Sequence, residues 1–159
     1  MHGTKKMVVT CGVLCLLGSF GCAITPESDH HALTASQVNS DPSHFEGKEI
    51  LIRGYVVLTP EAHILYESKE LNAKFRRQVD ANKSDFDPKA YNKYCLTLAN
   101  PDLLLKHRAA LTEKTLTLKG TFLSHYLDGN SFDIGACPLP TAIMIDETDF
   151  KSRYHDLLH

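Results

Sequence analysis

Residues 47–58 read GKEILIRGYVVL, which is the alternating pattern of a long β-strand with one glycine in its interior. The apolar parity holds Ile50, Ile52, Gly54, Val56 and Leu58, and the opposite parity holds Glu49, Arg53 and Tyr55. Glycine inside a strand is typical of a bulge, or of the tight bend where a barrel turns a corner. The segment therefore predicts a strand that bends at Gly54, with its apolar parity facing a core.

A second segment repeats this pattern. Residues 113–123 read EKTLTLKGTFL, in which Leu116, Leu118, Gly120 and Phe122 share one parity. Lys119 and Gly120 stand in the phase that Arg53 and Gly54 hold in the first segment. Two strands with a glycine at the same phase favour a small closed β-barrel.

The first 21 residues are a predicted signal peptide. Lys5 and Lys6 supply positive charge, and the apolar region at residues 7–17 is too short to span a bilayer. Residues 18–21 read GSFG and lead directly into Cys22, which resembles the lipobox of bacterial lipoproteins, with Ser19 where Leu usually stands. The resemblance implies cleavage before Cys22 and a lipid on that cysteine. An ordinary secretory signal followed by an incidental cysteine is the alternative.

The same resemblance implies an address. Ala23 rather than Asp follows Cys22, which in lipoproteins indicates the outer membrane, so we expect a lipid-anchored domain that faces the periplasm. Each buried methylene of an acyl chain contributes about 0.8 kcal/mol, so several chains together anchor stably. Residues 22–33 lack periodicity and are predicted to be a tether.

The composition of the mature chain limits the classes of partner that it is expected to bind. Removal of Lys5 and Lys6 leaves 15 of the 17 basic residues against 19 acidic ones, a formal charge of −4. Nucleic-acid affinity depends largely on neutralised phosphates, so this balance, the lack of a basic run and the export signal argue against nucleic acid. A chain of this size is one domain with a real core.

Two cysteines remain once Cys22 is acylated, namely Cys95 and Cys137. In an oxidising compartment we expect them to form a disulfide, with two separately buried thiols as the alternative. No CxxC motif is present in the mature chain, so redox catalysis is not expected.

The remaining elements are predicted from local patterns over a domain at residues 34–146. Thr34 is the N-cap of a short helix, and a second strand covers residues 63–67. A polar insertion follows at residues 68–93, in which Leu71, Phe75 and Val79 predict a short amphipathic helix.

Beyond the insertion, strands are predicted at 94–98, 114–124 and 141–145, and Asn100 caps a helix that runs to about residue 111. The turn at 128–130 predicts a further strand around residues 132–136. Residues 147–159 are a polar tail or a short terminal helix.

This order of elements resembles the OB-fold across residues 34–146. The repeated phrases at 47–54 and 114–120 look like the first and fourth strands of OB-like domains in bacterial envelope lipoproteins. The resemblance implies an all-β fold, a small five-stranded OB-like Greek-key barrel with a helix between strands 3 and 4. A small β-sandwich is the alternative.

No catalytic or metal centre is predicted. The histidines of the mature chain lack HxH and HExxH spacing. Asp80 begins a run like a calcium loop, but Asp85 occupies the required glycine position and Tyr91 the position of the bidentate glutamate. Ser124 and His125 lack a GxSxG elbow. We therefore expect no cofactor.

A binding face is predicted on the barrel exterior. OB-folds receive ligands over their middle strands and adjoining loops, through aromatic and basic side chains. The corresponding candidates are Arg53, Tyr55, His63 and Lys119, and the insertion at 68–93 is a second candidate surface. An ordinary solvated exterior is the alternative.

These features favour a non-enzymatic binding or adaptor module of the cell envelope, with an envelope protein or a glycan as its partner. The alternative is an envelope hydrolase or carbohydrate-active enzyme, for which Glu67, Glu70 and Asp133 are the candidate acids. Two carboxylates roughly 5–10 Å apart in a common cleft would favour the enzyme.

Overall fold

The computed structural model describes residues 31–81, 87, 89–127 and 137–158. Its strands are β1 (Glu49–Thr59), β2 (Ala62–Tyr66), β3 (Cys95–Leu98), β4 (Thr115–Leu123) and β5 (Ala142–Ile145). Its helices are α1 (Ala35–Ser40), α2 (Pro42–Phe45), α3 (Lys69–Asp80), α4 (Lys89–Asn92), α5 (Pro101–Leu105), α6 (Arg108–Leu111), α7 (Glu147–Arg153) and α8 (His155–Leu158).

The five strands close into a barrel in the order β1-β2-β3-β5-β4. β3 and β5 are parallel, and the other neighbouring pairs are antiparallel. α5 and α6 lie between β3 and β4 in the chain. The predicted five-stranded OB-like barrel is therefore confirmed. The run at 141–145 supplies its last strand, whereas the strand expected around residues 132–136 lies outside the described residues.

Two glycines let neighbouring strands cross closely. A Cβ on Gly54 would lie 2.5 Å from the carbonyl oxygen of Tyr66 and 2.7 Å from Cγ of Leu65. A Cβ on Gly120 would overlap the carbonyl oxygen of Met144. Both glycines stand on the inward parity, and the missing side chains leave room for the neighbouring strands to approach.

The core fills the barrel and both of its ends. The interior is lined by the inward parities of the strands, which include Ile52, Val56, Leu65, Leu96, Leu118, Phe122 and Ile143. α1 adds Ala35 and Val38, and the α5 and α6 pair adds Leu104 and Leu111. Helices thus cap a core that the short strands alone would leave open to water.

The C-terminal segment belongs to the folded unit. Residues 147–158 form α7 and α8, and Phe150 is buried in the core with 1% exposure. The hydroxyl of Tyr154 accepts from the N–H of Thr117 at 2.7 Å and donates to its carbonyl oxygen at 2.9 Å. The compact unit therefore continues past residue 146, and helices form where a tail or a terminal helix was expected.

The side chain of Asn100 reinforces the short parallel pairing between β3 and β5. Asn100 donates from Nδ2 to the carbonyl oxygen of Ile145 at 3.0 Å and accepts from its N–H at 2.9 Å. The amide of Asn100 therefore extends the ladder beyond the end of β3. This role replaces the predicted one, because within the described residues Asn100 makes no side-chain bond to cap α5, and the expected single helix is divided into α5 and α6.

We expect Asn100→Leu to lower the free energy of unfolding by about 2–3 kcal/mol, because the N–H and C=O of the buried residue Ile145 would lose their partners. Asn100→Asp is the matched control, since it keeps the acceptor and loses the donor. Urea denaturation should rank the leucine variant below the aspartate variant, and equal stability of the leucine variant and the wild type would contradict the role of Asn100.

Candidate binding faces of the barrel

The outer surface of β2 and β3 is covered by the chain itself. Cys95 in β3 forms a disulfide with Cys137, with the two Cα atoms 5.9 Å apart. Both cysteines are buried and pack with Ile64, and Leu139 packs against this small cluster. The N–H of Cys137 also donates to Oγ1 of Thr97 at 3.0 Å. The predicted disulfide is confirmed, and it fastens residues 137–139 over the face where OB-folds bind ligands.

The helix α3, which begins the insertion, covers a neighbouring part of the same surface. Ser68 caps α3 by accepting from the N–H of Leu71 at 3.2 Å, which confirms the predicted helix. The ring of Phe75 lies 6.5 Å from that of Tyr66 in β2 and 5.8 Å from that of Tyr91. α3 is thus held on the barrel by aromatic contacts at its middle.

The apolar stripe predicted on α3 is displaced at its end. Val79 is 48% exposed, whereas Asn72 is buried. Phe75, at the middle of the helix, contacts Tyr66 in β2, whereas Val79, one turn later, is no longer covered. A spacing of four along the sequence could not reveal where the supporting strand ends.

Tyr55 is not on an open face. It lies on the outward parity and pairs with Tyr66 in register, but it is only 4% exposed. Burial raises the pKa of Tyr55, as does the charge of Glu113, while Arg76 on α3 opposes the shift. Burial likewise raises the pKa of Tyr66 against the charge of Arg76. The expectation that Tyr55 faces a ligand in solvent is wrong, because elements added outside the barrel cover it.

His63 faces the opposite way from the prediction. The register pairs it with Leu58, and residues directly opposite each other in an antiparallel pair share a side. His63 therefore lies on the parity of the core residues Leu58 and Leu65, at the end of β2, where it is half-buried. The turn at residues 60–61 sets this register, which alternation along β2 alone could not reveal.

Arg53 and Lys119 do lie together on the exterior. They stand on the outward parity of the neighbouring strands β1 and β4. On the same outward side, Glu49 in β1 pairs in register with Thr121 in β4, which in turn pairs with Met144 in β5. The ammonium group of Lys119 lies 3.0 Å from a carboxylate oxygen of Glu49, and this hydrogen bond is the main cause that raises the pKa of Lys119. We call Glu49, Arg53, Lys119, Thr121 and Met144 the open face.

The open face has a mixed character. Arg53 and Glu49 are exposed, Lys119 and Thr121 are half-buried, and Met144 is an exposed apolar side chain at 42%. Arginine and methionine are enriched in protein interfaces relative to the rest of a protein surface. Met144 was not among the predicted site residues, although its place between the inward residues Ile143 and Ile145 indicated an outward side chain.

Glu67 and Glu70, two of the three candidate catalytic acids, form hydrogen bonds at the starts of helices. A carboxylate oxygen of Glu67 accepts from the N–H of Ser36 at 2.9 Å, in the first turn of α1. Glu70 lies in the first turn of α3, and hydrogen bonds from its own N–H and from Ser68 lower its pKa. Asp133 lies outside the described residues.

Two features are absent from the part of the chain that the structure describes. Its histidine, cysteine and carboxylate side chains form no group of three or more that could hold a metal ion. None of its helices combines the length and apolar character needed to cross a bilayer.

No protein-family model matches the chain, and comparisons with curated proteins and with solved structures find no match either.

Proposed function

We propose that the protein is a non-enzymatic binding or adaptor module of the bacterial envelope, anchored to the outer membrane by a lipid on Cys22 and facing the periplasm. The disulfide between Cys95 and Cys137 supports this address, since such bonds persist in oxidising compartments. The charged start at Lys5 and Lys6, the apolar run and the small residues before Cys22 supply the export and lipidation signals.

The open face is the proposed contact surface, and the partner is an envelope protein. The disulfide segment and α3 cover the middle-strand region, where OB-folds hold oligonucleotides or oligosaccharides. The ion pair of Lys119 with Glu49 lies one strand away from the exposed Met144, and an apolar side chain bordered by polar groups is typical of a protein interface. A glycan is the other ligand class that an envelope address supports.

A binding role is also supported by what the nominated acids do. Glu67 holds the start of α1 through the N–H of Ser36, which is a structural task. A carboxylate engaged in this way is a poor choice for a general acid or a nucleophile.

Photo-crosslinking tests the proposal at single-residue resolution. A photoreactive amino acid at Met144, which is 42% exposed, should yield one reproducible protein adduct in intact cells. The same group at Leu157, which is 44% exposed on α8, is the matched control. The charge reversals Arg53→Glu and Lys119→Glu should abolish the adduct from Met144.

The outcomes separate the partner classes. Identical adducts from Met144 and Leu157 would contradict a specific contact at the open face. An absence of protein adducts from Met144, with a glycan recovered on the purified protein, would replace the protein partner by a glycan.

A further inference from the structure

The insertion at residues 68–93 differs in charge from the rest of the mature chain. It holds seven basic and four acidic residues, whereas the remainder from Cys22 onward holds eight basic and fifteen acidic ones. The described side chains of its exposed basic residues are those of Lys69, Lys74, Arg76, Arg77 and Lys93. An anionic surface would therefore attract the insertion and repel the body of the domain.

Both ends of the insertion are bonded to α1. Glu67, next to the start of α3, accepts from the N–H of Ser36 at 2.9 Å. The carbonyl oxygen of Lys93, at the other end, accepts from Nδ2 of Asn39 at 3.0 Å. The two described ends of the insertion therefore lie beside α1.

The same side receives the N-terminal connection. Leu33 donates to the carbonyl oxygen of Leu51 at 2.8 Å and accepts from the N–H of Arg53 at 2.9 Å, directly before α1 begins. Leu33 lies eleven positions after Cys22, and at most about 3.6 Å per position gives a maximum span of about 40 Å. A lipid on Cys22 would hold Leu33, directly before α1, within this distance of the membrane.

We propose that the exposed cations of the insertion bind the anionic headgroups of the membrane in which Cys22 is anchored. Val79, 48% exposed near the end of α3 and one helical turn from Arg76, would enter the headgroup layer. Basic side chains with an adjacent apolar one are typical of helices that lie on membrane surfaces. This inference rests on the proposed lipid anchor, and it gives the anchored domain a defined orientation.

Lysine footprinting on vesicles tests the contact. The mature chain is coupled through the thiol of Cys22 to a maleimide lipid, which is selective because Cys95 and Cys137 are joined. Acetylation of Lys69 and Lys74 should fall at least fivefold on vesicles with 30% phosphatidylglycerol compared with pure phosphatidylcholine. The exposed Lys106 should react equally on both, and 0.5 M salt should remove the difference.

Matched variants separate this contact from general attraction. Arg76→Gln with Arg77→Gln should restore the acetylation of Lys69 and Lys74, since each cation near an anionic surface strengthens binding by about fivefold. Lys48→Gln with Arg108→Gln removes two exposed cations elsewhere and should leave the protection unchanged.

Equal acetylation on both kinds of vesicle would overturn the proposal and would point to an acidic macromolecule as the partner of the insertion. Equal protection of Lys106 would overturn it as well, because the attraction would then be unspecific. The coupling is chemical, so the result is independent of whether cells acylate Cys22.

Discussion

Gly120→Ala should lower the free energy of unfolding by about 3 kcal/mol, the upper part of the range for overpacked cores. Gly120 stands on the inward parity of β4 between Leu118 and Phe122 and pairs with Ile145 in β5. The added Cβ would overlap the carbonyl oxygen of Met144 and would lie 2.9 Å from Cγ1 of Ile143. Relief requires β5 to move away, which would weaken the strand pairs that close the barrel.

Gly47→Ala is the matched control for this prediction. Gly47 has φ of +68°, so alanine there costs about 1–2 kcal/mol in backbone strain. Among the described residues, no atom lies within 4 Å of its added Cβ, so no overlap is created. Chemical denaturation of both variants should place Gly120→Ala well below Gly47→Ala, and the reverse order would contradict a close crossing of β4 and β5.

Reduction of the disulfide between Cys95 and Cys137 should cost on the order of 3–4 kcal/mol. The bond closes a loop with a sequence separation of 42, and the chain-entropy model gives this magnitude for such a loop. A domain of this size has a total stability of about 5–15 kcal/mol, so the loss is a large part of it. Urea denaturation with and without reductant measures the difference.

A double variant separates the covalent bond from the packing. Cys95→Ala with Cys137→Ala removes the bond and also two buried sulfur atoms that pack with Ile64. It should therefore be less stable than the reduced wild type by a further increment. Equal denaturation midpoints for the oxidised and the reduced wild type would contradict a stabilising disulfide.

Patterns within single segments were the reliable source of prediction. The parity of β1 and β4 indicated strands with one face in the core, and Gly54 and Gly120 stand on that face, because alternation and glycine placement are local properties. Thr34 is confirmed as an N-cap: it accepts from the N–H of Gln37, whose side chain accepts from the N–H of Thr34 at 2.8 Å.

Contacts between segments were the main source of error. Tyr55 has the outward parity that alternation indicates, yet its side chain is buried, because that depends on where α3 packs. Asn100 stands where a helix cap belongs, but its amide pairs with Ile145, 45 residues later in the chain. Neither relation leaves a signal in its own segment.

The predicted binding face was likewise correct where it depended on a local pattern and wrong where it depended on contacts between segments. Arg53 and Lys119 were placed on the exterior by parity, and they lie on neighbouring strands that pair in register. His63 was misplaced because the turn before β2 sets its register. The middle strands are covered by α3 and by the segment that the disulfide holds, and these lie far apart in the sequence. Their packing on the same strands could not be predicted from either segment, so the sequence alone did not indicate the open face as the exposed surface.

The measurement that bears most directly on the proposed role is the mass of the N-terminal peptide of the mature protein, purified from membranes. We predict a chain that begins at Cys22 and carries acyl groups on that residue, and a Cys22→Ser variant that loses both the acyl mass and its membrane attachment. A mature N-terminus at another residue, or a Cys22→Ser variant with unchanged mass and attachment, would contradict the proposal that this barrel is a lipid-anchored envelope protein.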